Sequence, residues 1–462
     1  MQRTIIRHAT LVNEGRTFVG TVVVEGEHIV QVVEEKGLSS PDANAKREDF
    51  LSLLLQEVPG EAAVIDATDM YLLPGVIDEH VHFREPGLTH KATIASESRK
   101  AVMGGVTSFM DMPNCIPQTT NIELVEAKHR IAEVCSPANW SFYLGATADN
   151  LAEIERLDPA ANCGVKVFMG SSTGGMLLGD DESLYAVFRS TPLPIALHCE
   201  DQDIITANIA RYKAEFASAN SQTAGQIADS KSSSSQYPDD LPLRYHPLIR
   251  SEEACFRSSA RAVEIAEKTG ANIHILHIST ARELSLFQQG PVEWKRITSE
   301  ACIPHLLYTD ADYPSLGTAI KCNPAIKSAA DRAALRDAIR GGLIDTVGTD
   351  HAPHTAADKE GGALRAASGI ATLPHSLTAM LSLADAGCFT LADVVRTMCH
   401  NPALRYRVAR RGFIRPGYQA DLVLVKKADG WTVRKTWVNG LLAYDGQEVN
   451  PSVRGQRLMF DR

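Results

Sequence analysis

Apolar and polar residues alternate through positions 1–34, the period-two pattern of half-buried strands. Within it, residues 21–30 read as two strands around a Glu25-Gly26-Glu27 turn. The pattern breaks at 35–62, where a polar stretch precedes the apolar run 50–55. That predicts a surface insertion with a short helix, after which residues 63–67 return to strand. From Pro74 to about Leu391 the period changes again. Short β-rich apolar runs at 107–111, 140–144, 165–168, 195–198, 273–277 and 345–350 alternate with helical stretches such as 122–134 and 251–268. Strand–helix repetition predicts a parallel sheet. A span of roughly 320 residues suits a (β/α)8 barrel with insertions. An open doubly wound sheet is the alternative, but no Gly-rich phosphate turn follows the first strand.

Two further stretches complete the outline. Residues 217–240 are polar and contain four consecutive serines, Ser232 to Ser235, so they predict an excursion that buries little. Residues 413–446 return to strands, with an Asn439-Gly440 hairpin signal. The predicted fold class is therefore α/β: a (β/α)8 TIM-like barrel over 74–391 with a small β-domain built from both chain ends, 1–73 and 392–462.

Composition leaves this outline intact and narrows the partners. With 462 residues, 44% hydrophobic and 22% charged, the chain can bury a large core. A net charge of -10 and the lack of a basic stripe argue against nucleic acid. No apolar run approaches the ~18–20 residues of a membrane span, and the first residues lack a signal-peptide apolar region. The expected setting is the cytoplasm, with no membrane partner. Nine cysteines, an odd number without C-x-x-C spacing, predict buried free thiols rather than a disulfide framework.

The chemistry gathers where apolar runs end. Val76-Ile77-Asp78-Glu79-His80-Val81-His82-Phe83-Arg84 closes on two histidines at i and i+2, which share one face of a strand. Arg84 follows, within reach of a ligand's carboxylate. Lys166, His198, His277 and Asp350 sit at the ends of other predicted strands. Four imidazoles and a carboxylate converging on a barrel mouth make an N/O metal site, best suited to zinc. Lys166 has two readings. Burial and nearby cations would lower its pKa until the amine takes up carbon dioxide as a bridging carbamate. Alternatively, its stem is buried and its ammonium pairs with an acid at the rim. Strand alternation puts His274 on the face opposite His277, which predicts a structural role. His354, in the loop after Asp350, either meets substrate or caps the loop.

Taken together, His80-Val81-His82-Phe83-Arg84-Glu85-Pro86-Gly87, Met112-Pro113-Asn114, His246-Pro247-Leu248-Ile249-Arg250, Lys321-Cys322-Asn323-Pro324 and Gly348-Thr349-Asp350-His351-Ala352-Pro353-His354 resemble the amidohydrolase superfamily. Within it, they are similar to the class I dihydroorotases. The resemblance covers nearly the whole chain, apart from the longer stretches at 35–62 and 217–240. It implies two zinc ions per chain: one held by His80, His82 and Asp350, the other by His198 and His277, with carbamylated Lys166 bridging. It implies that Arg84, Asn114 and His354 hold a substrate carboxylate and Asn323 the ring or amide. Asp350 would be the catalytic proton carrier. The implied activity is reversible interconversion of N-carbamoyl-L-aspartate and L-dihydroorotate, a step of pyrimidine biosynthesis. The alternatives are a related cyclic amidase (allantoinase or dihydropyrimidinase) or a non-catalytic scaffold. Scaffolds lose ligands, whereas this chain keeps every one. The expected partner is a small molecule with a free carboxylate, and a homodimer is left open.

Overall fold

The computed structural model describes residues 3–35, 62–170, 176–223 and 239–462. Eight strands form one sheet from the two ends of the chain. They are β1 (Arg3–Asn13), β2 (Arg16–Glu25), β3 (His28–Glu34), β4 (Ala62–Asp66) and β5 (Met70–Pro74), and later β15 (Leu422–Lys427), β16 (Trp431–Val438) and β17 (Leu441–Tyr444). Their order is β17-β16-β15-β5-β1-β2-β3, with β4 paired to β1. The joint between the ends is the antiparallel pair β5–β15, in which Pro74 faces Leu422 and Leu72 faces Leu424. Alternation turns Ile6, Leu11, Val22, Val24, Leu72, Leu422, Leu424 and Trp437 into one buried layer. The predicted hairpin at Asn439-Gly440 joins β16 to β17, with φ of 50° and 75° at those two residues, as a type I′ turn requires.

Between those ends run β6 (Val76–Val81), β7 (Val106–Asp111), β8 (Asn139–Phe142), β9 (Leu144–Gly145), β10 (Val165–Phe168), β11 (Ile195–His198), β12 (Ile273–Ile275), β13 (Ile297–Cys302) and β14 (Thr346–Gly348). All pair in parallel, in two arcs, β6-β7-β8 and β9-β10-β11-β12-β13-β14. The arcs meet on one side where β8 and β9 flank Tyr143. On the other, Val81 bridges His351 in parallel and His82 N–H donates to His351 O at 2.8 Å. The result is a closed (β/α)8 barrel, with helices such as Ile122–Cys135 and Glu252–Thr269 between strands.

Several expectations change. Strand β13 carries Thr298 and Glu300 at buried positions, so its apolar pattern is broken, and it went unread in the sequence. The run 217–240 does not begin as a loop, because the helix Gln202–Thr223 continues to 223. Residues 224–238 of that excursion, and residues 36–61 of the predicted insertion with its helix at 50–55, lie outside the described residues. The helical turns Leu391–Val395, Arg396–His400 and Asn401–Tyr406 belong with the barrel by contact: Asn401 Nδ2 donates to Asp345 O at 2.7 Å, and the Tyr406 and Tyr143 hydroxyls bond at 2.8 Å. We propose that the barrel unit runs on to Tyr406 rather than ending at 391.

Barrel and sheet are fastened by a buried polar knot. Asp421, the residue before β15, accepts from Asn439 N–H at 2.8 Å and from Asn139 Nδ2 of β8 at 3.2 Å, and pairs with Arg411. Asn439 Nδ2 returns to Asn139 Oδ1 at 2.9 Å.

Candidate metal centre

All but one of the predicted ligands sit at or just past the C-terminal end of a barrel strand, the face where such barrels build sites. His80 is the next-to-last residue of β6, and His82 follows the strand's end. Lys166 lies within β10, His198 ends β11, and His277 and Asp350 each lie two residues beyond β12 and β14. His80, His82, Lys166, His198, His277 and Asp350 line one cavity, together with Arg84, Asn114 and Asn323. Phe168, Ala352, Ser368 and Gly369 complete its wall.

The spacing inside this cavity suits two metal positions. Asp350 Oδ1 is 3.2 Å from His80 Nε2 and 3.1 Å from His82 Nε2. His198 Nδ1 and His277 Nε2 face each other at 2.9 Å. Tetrahedral zinc with bonds of about 2.0–2.1 Å puts neighbouring ligand atoms about 3.3 Å apart, so both groups need only a small spread. The outer nitrogens are held too, as metal-binding imidazoles require. His80 Nδ1 meets Glu300 Oε1 at 2.8 Å and His82 Nδ1 meets Asn114 Oδ1 at 2.7 Å, whereas His198 Nε2 lies 3.1 Å from Glu200 Oε2 without hydrogen-bond geometry.

Electrostatics agree with a site built for cations. Burial pushes His82 down to about 4 and holds His277 and His198 below the usual imidazole value, so their lone pairs are free of protons. Burial alone would raise Asp350, but His80, His82 and Lys166 keep it well below the usual carboxylate range. Burial also pushes the Lys166 amine down to about 8. Its Nζ lies 4.7 Å from the Phe168 ring centre.

The carboxylate side is more layered than the sequence suggested. Arg84 enters the cavity beside the histidines, and its Nε donates to Pro353 O at 3.2 Å. His354 stands behind it rather than in the cavity wall. Its Nε2 is 3.1 Å from Arg84 Nη2 and 3.0 Å from Ser368 O, and its Nδ1 is 3.2 Å from Lys91 Nζ. Lys91 in turn pairs with Asp358 at 3.2 Å. Burial, then Arg84 and Lys91, push His354 down to about 3, so it is neutral. Asn323 Oδ1 is enclosed without a hydrogen-bond partner among the described residues, as expected of a group that awaits a ligand.

Alternation misplaced His274. Strand β12 ends at Ile275, and His277 lies beyond it at a φ of 42°, so the two-residue period stops short. His274 lies inside the barrel one layer below the site, with Nδ1 2.8 Å from Thr298 Oγ1 and Nε2 3.2 Å from Thr346 Oγ1. Its role there is still structural. Glu200 and Glu300 were missed. Glu200 follows His198-Cys199 and pairs with Arg250, the last residue of the stretch His246-Pro247-Leu248-Ile249-Arg250, which is the one signal the sequence carries for it.

With this geometry in place, similarity to known proteins is decisive at the family level. The profile of the amidohydrolase family matches residues 71–443. The chain belongs to the amidohydrolase family. A dihydroorotase of Halobacterium salinarum is 34% identical over 375 residues, 80% of this chain and 80% of that protein. An allantoinase of Bacillus velezensis is 32% identical over 378 residues, 80% of this chain and 78% of that protein. An L-hydantoinase structure from Arthrobacter aurescens superposes with a TM-score of 0.81 at 24% identity, covering 99% of this chain and 100% of that one, and so shares the fold. This amidohydrolase is accordingly a cyclic amide hydrolase. Among its described residues, no helix is long and apolar enough to cross a membrane. All nine cysteines are unpaired.

Proposed function

We propose that the protein is a zinc-dependent dihydroorotase, interconverting N-carbamoyl-L-aspartate and L-dihydroorotate in pyrimidine biosynthesis in the cytoplasm. The observation that carries this reading is Arg84, a fixed cation in the wall of the metal cavity. Dihydroorotate has a free carboxylate beside its ring, whereas allantoin and dihydrouracil have none. Buried beside the ligands, an unmatched guanidinium is costly, and a substrate carboxylate offsets it.

His80, His82 and Asp350 would hold one zinc, and His198 and His277 the other. Lys166, as a carbamate, would lie between them. Its depressed pKa leaves unprotonated amine near neutral pH, which carbon dioxide converts to N–COO⁻ with release of a proton. Zinc bound there would supply Lewis acidity, making water nucleophilic near neutral pH and polarising the amide carbonyl. Arg84 and the Asn114 amide bind the substrate carboxylate. Neutral His354, backed by Lys91, keeps Arg84 aimed. Asn323 meets the ring or its amide. Asp350, ionised, takes a proton from the attacking water and passes it to the ring nitrogen as the C–N bond breaks. In the reverse direction the same groups close the ring.

The allantoinase relative supports a second reading, a neutral cyclic ureide as substrate. The two separate in one assay of the zinc-loaded protein with dihydroorotate, allantoin and dihydrouracil. Dihydroorotate should be opened and the others left. Arg84→Ala should raise KM for dihydroorotate about 10–100-fold, the size of a charged contact of 1.5–3 kcal/mol, with zinc content unchanged. Preferred turnover of allantoin, or an unaltered KM in the variant, would overturn the proposal.

A further inference from the structure

Glu300, on the strand that sequence reading missed, touches both halves of the metal centre. Its side chain is fully buried. One oxygen, Oε1, gathers three contacts: His80 Nδ1 at 2.8 Å, the backbone N–H of His277 at 3.0 Å and Cys302 Sγ at 3.1 Å. A backbone N–H can only donate, so Oε1 is an acceptor whatever happens at Oε2. With the Cys302 thiol and the His277 N–H both aimed at Oε1, the geometry assigns the proton shared with His80 to Nδ1. That tautomer leaves the lone pair of His80 on Nε2, the nitrogen facing Asp350.

The contact to His277 does a different job. His277 lies past the end of its strand at a φ of 42°, where a side chain rarely settles without support. Its N–H, out of register with any ladder, is satisfied by Glu300. The ring so placed faces His198 at 2.9 Å and lies 5.4 Å from the His80 ring.

Room for the carboxylate is built into the neighbouring strand. A Cβ on Gly348, in β14, would fall 2.6 Å from Glu300 Oε2 and 3.0 Å from Cδ. Any side chain there would push the carboxylate off its partners. Glycine at 348 thus has a packing reason beyond the turn that delivers Asp350.

We propose that Glu300 is a positioning residue that sets the tautomer of His80 and the backbone of His277 together, and so couples the two zinc positions. This rests on the proposed zinc centre. What matters is an oxygen acceptor at the place of Oε1, rather than negative charge. Glutamine keeps such an oxygen, aspartate withdraws it by one methylene, and leucine removes it.

The test compares wild type with Glu300→Gln, Glu300→Asp and Glu300→Leu. Zinc affinity is measured by competition with a chelator, and the visible spectrum is recorded after cobalt substitution. Folding of the metal-free proteins is checked by thermal melting. Expected is an order of affinity in which wild type and the glutamine variant lie close together. Aspartate and leucine should fall about 10–100-fold below them, the usual cost of losing a metal ligand's outer partner. The cobalt spectrum should change in the weak variants at both sites. Affinities indistinguishable across the series would overturn the inference, as would a glutamine variant no better than aspartate. If leucine does not fold, the glutamine–aspartate comparison decides alone. Wild type that takes up no zinc after metal-replete expression would instead sink the zinc centre itself.

Discussion

Three residues that present functional groups, Arg84, His277 and Asp350, have φ of 68°, 42° and 47°. Left-handed backbone at a side-chain-bearing residue costs about 1–3 kcal/mol and persists where the surroundings enforce it. Here each follows the end of a strand, and the left-handed turn redirects its side chain over the barrel mouth. Such angles leave no mark in composition or periodicity. That is why alternation located His80 and His82 correctly yet assigned His274 to the wrong face. Lys166 is the opposite case. It stands within a regular strand, so its inward direction was legible from Val165-Lys166-Val167-Phe168 alone. The proposed carbamate is tested by Lys166→Ala, which should lose turnover by about 100-fold or more, the scale on which single preorganised charge-stabilising groups act. Acetate or propionate should restore a fraction by occupying the vacated space. Full activity without added acid would refute the bridging role.

At the scale of elements, the site depends on contacts that cross the barrel. The helix Ile94–Met103 begins with a reciprocal Thr93–Ser96 capping box, and its Glu97 reaches the loop after β14. There Glu97 Oε2 accepts from His351 Nε2 at 2.7 Å, while His351 Nδ1 accepts from Leu373 N–H at 3.2 Å. Thus the helix after the first barrel strand pins the loop after the last one, next to Asp350. Burial would raise Glu97, but His351 and then Lys100 bring it from 4.5 to about 2. A depressed carboxylate stabilises the fold above its unfolded pKa and loses that contribution as pH falls through the folded one. Glu97→Gln should therefore cost about 1–2 kcal/mol at pH 7. The gap to wild type in urea melts should narrow below about pH 4.5, and a gap independent of pH would exclude the charged contact. Strand β11 is legible because Ile195-Ala196-Leu197 is a continuous apolar run buried on both faces, and β10 because Val165, Val167 and Phe168 enclose a single lysine. Strand β13 was not, since a carboxylate and hydroxyls occupy its buried positions to serve neighbours rather than the core.

For the whole molecule, the sheet made from both ends was foreseeable from alternation and the Asn439-Gly440 turn. The knot that fastens it to the barrel is not, because Asn139 lies 282 residues before Asp421, its partner in the knot. Asp421→Leu would leave Arg411 buried without its anion, a loss of about 3–5 kcal/mol. Denaturant unfolding should register it, and an unchanged midpoint would show the pair to be dispensable. The β5–β15 pairing has a consequence for synthesis. Strand β5 leaves the ribosome about 350 residues before its partner, roughly 17–70 seconds at ~5–20 residues per second. Throughout that interval the β5 edge of a sheet formed from β1 to β5 would lack its partner, and a face of Ile6, Leu11 and Leu72 would be uncovered. A barrel can close meanwhile, but a chain whose translation stops near residue 410 carries that sticky edge permanently.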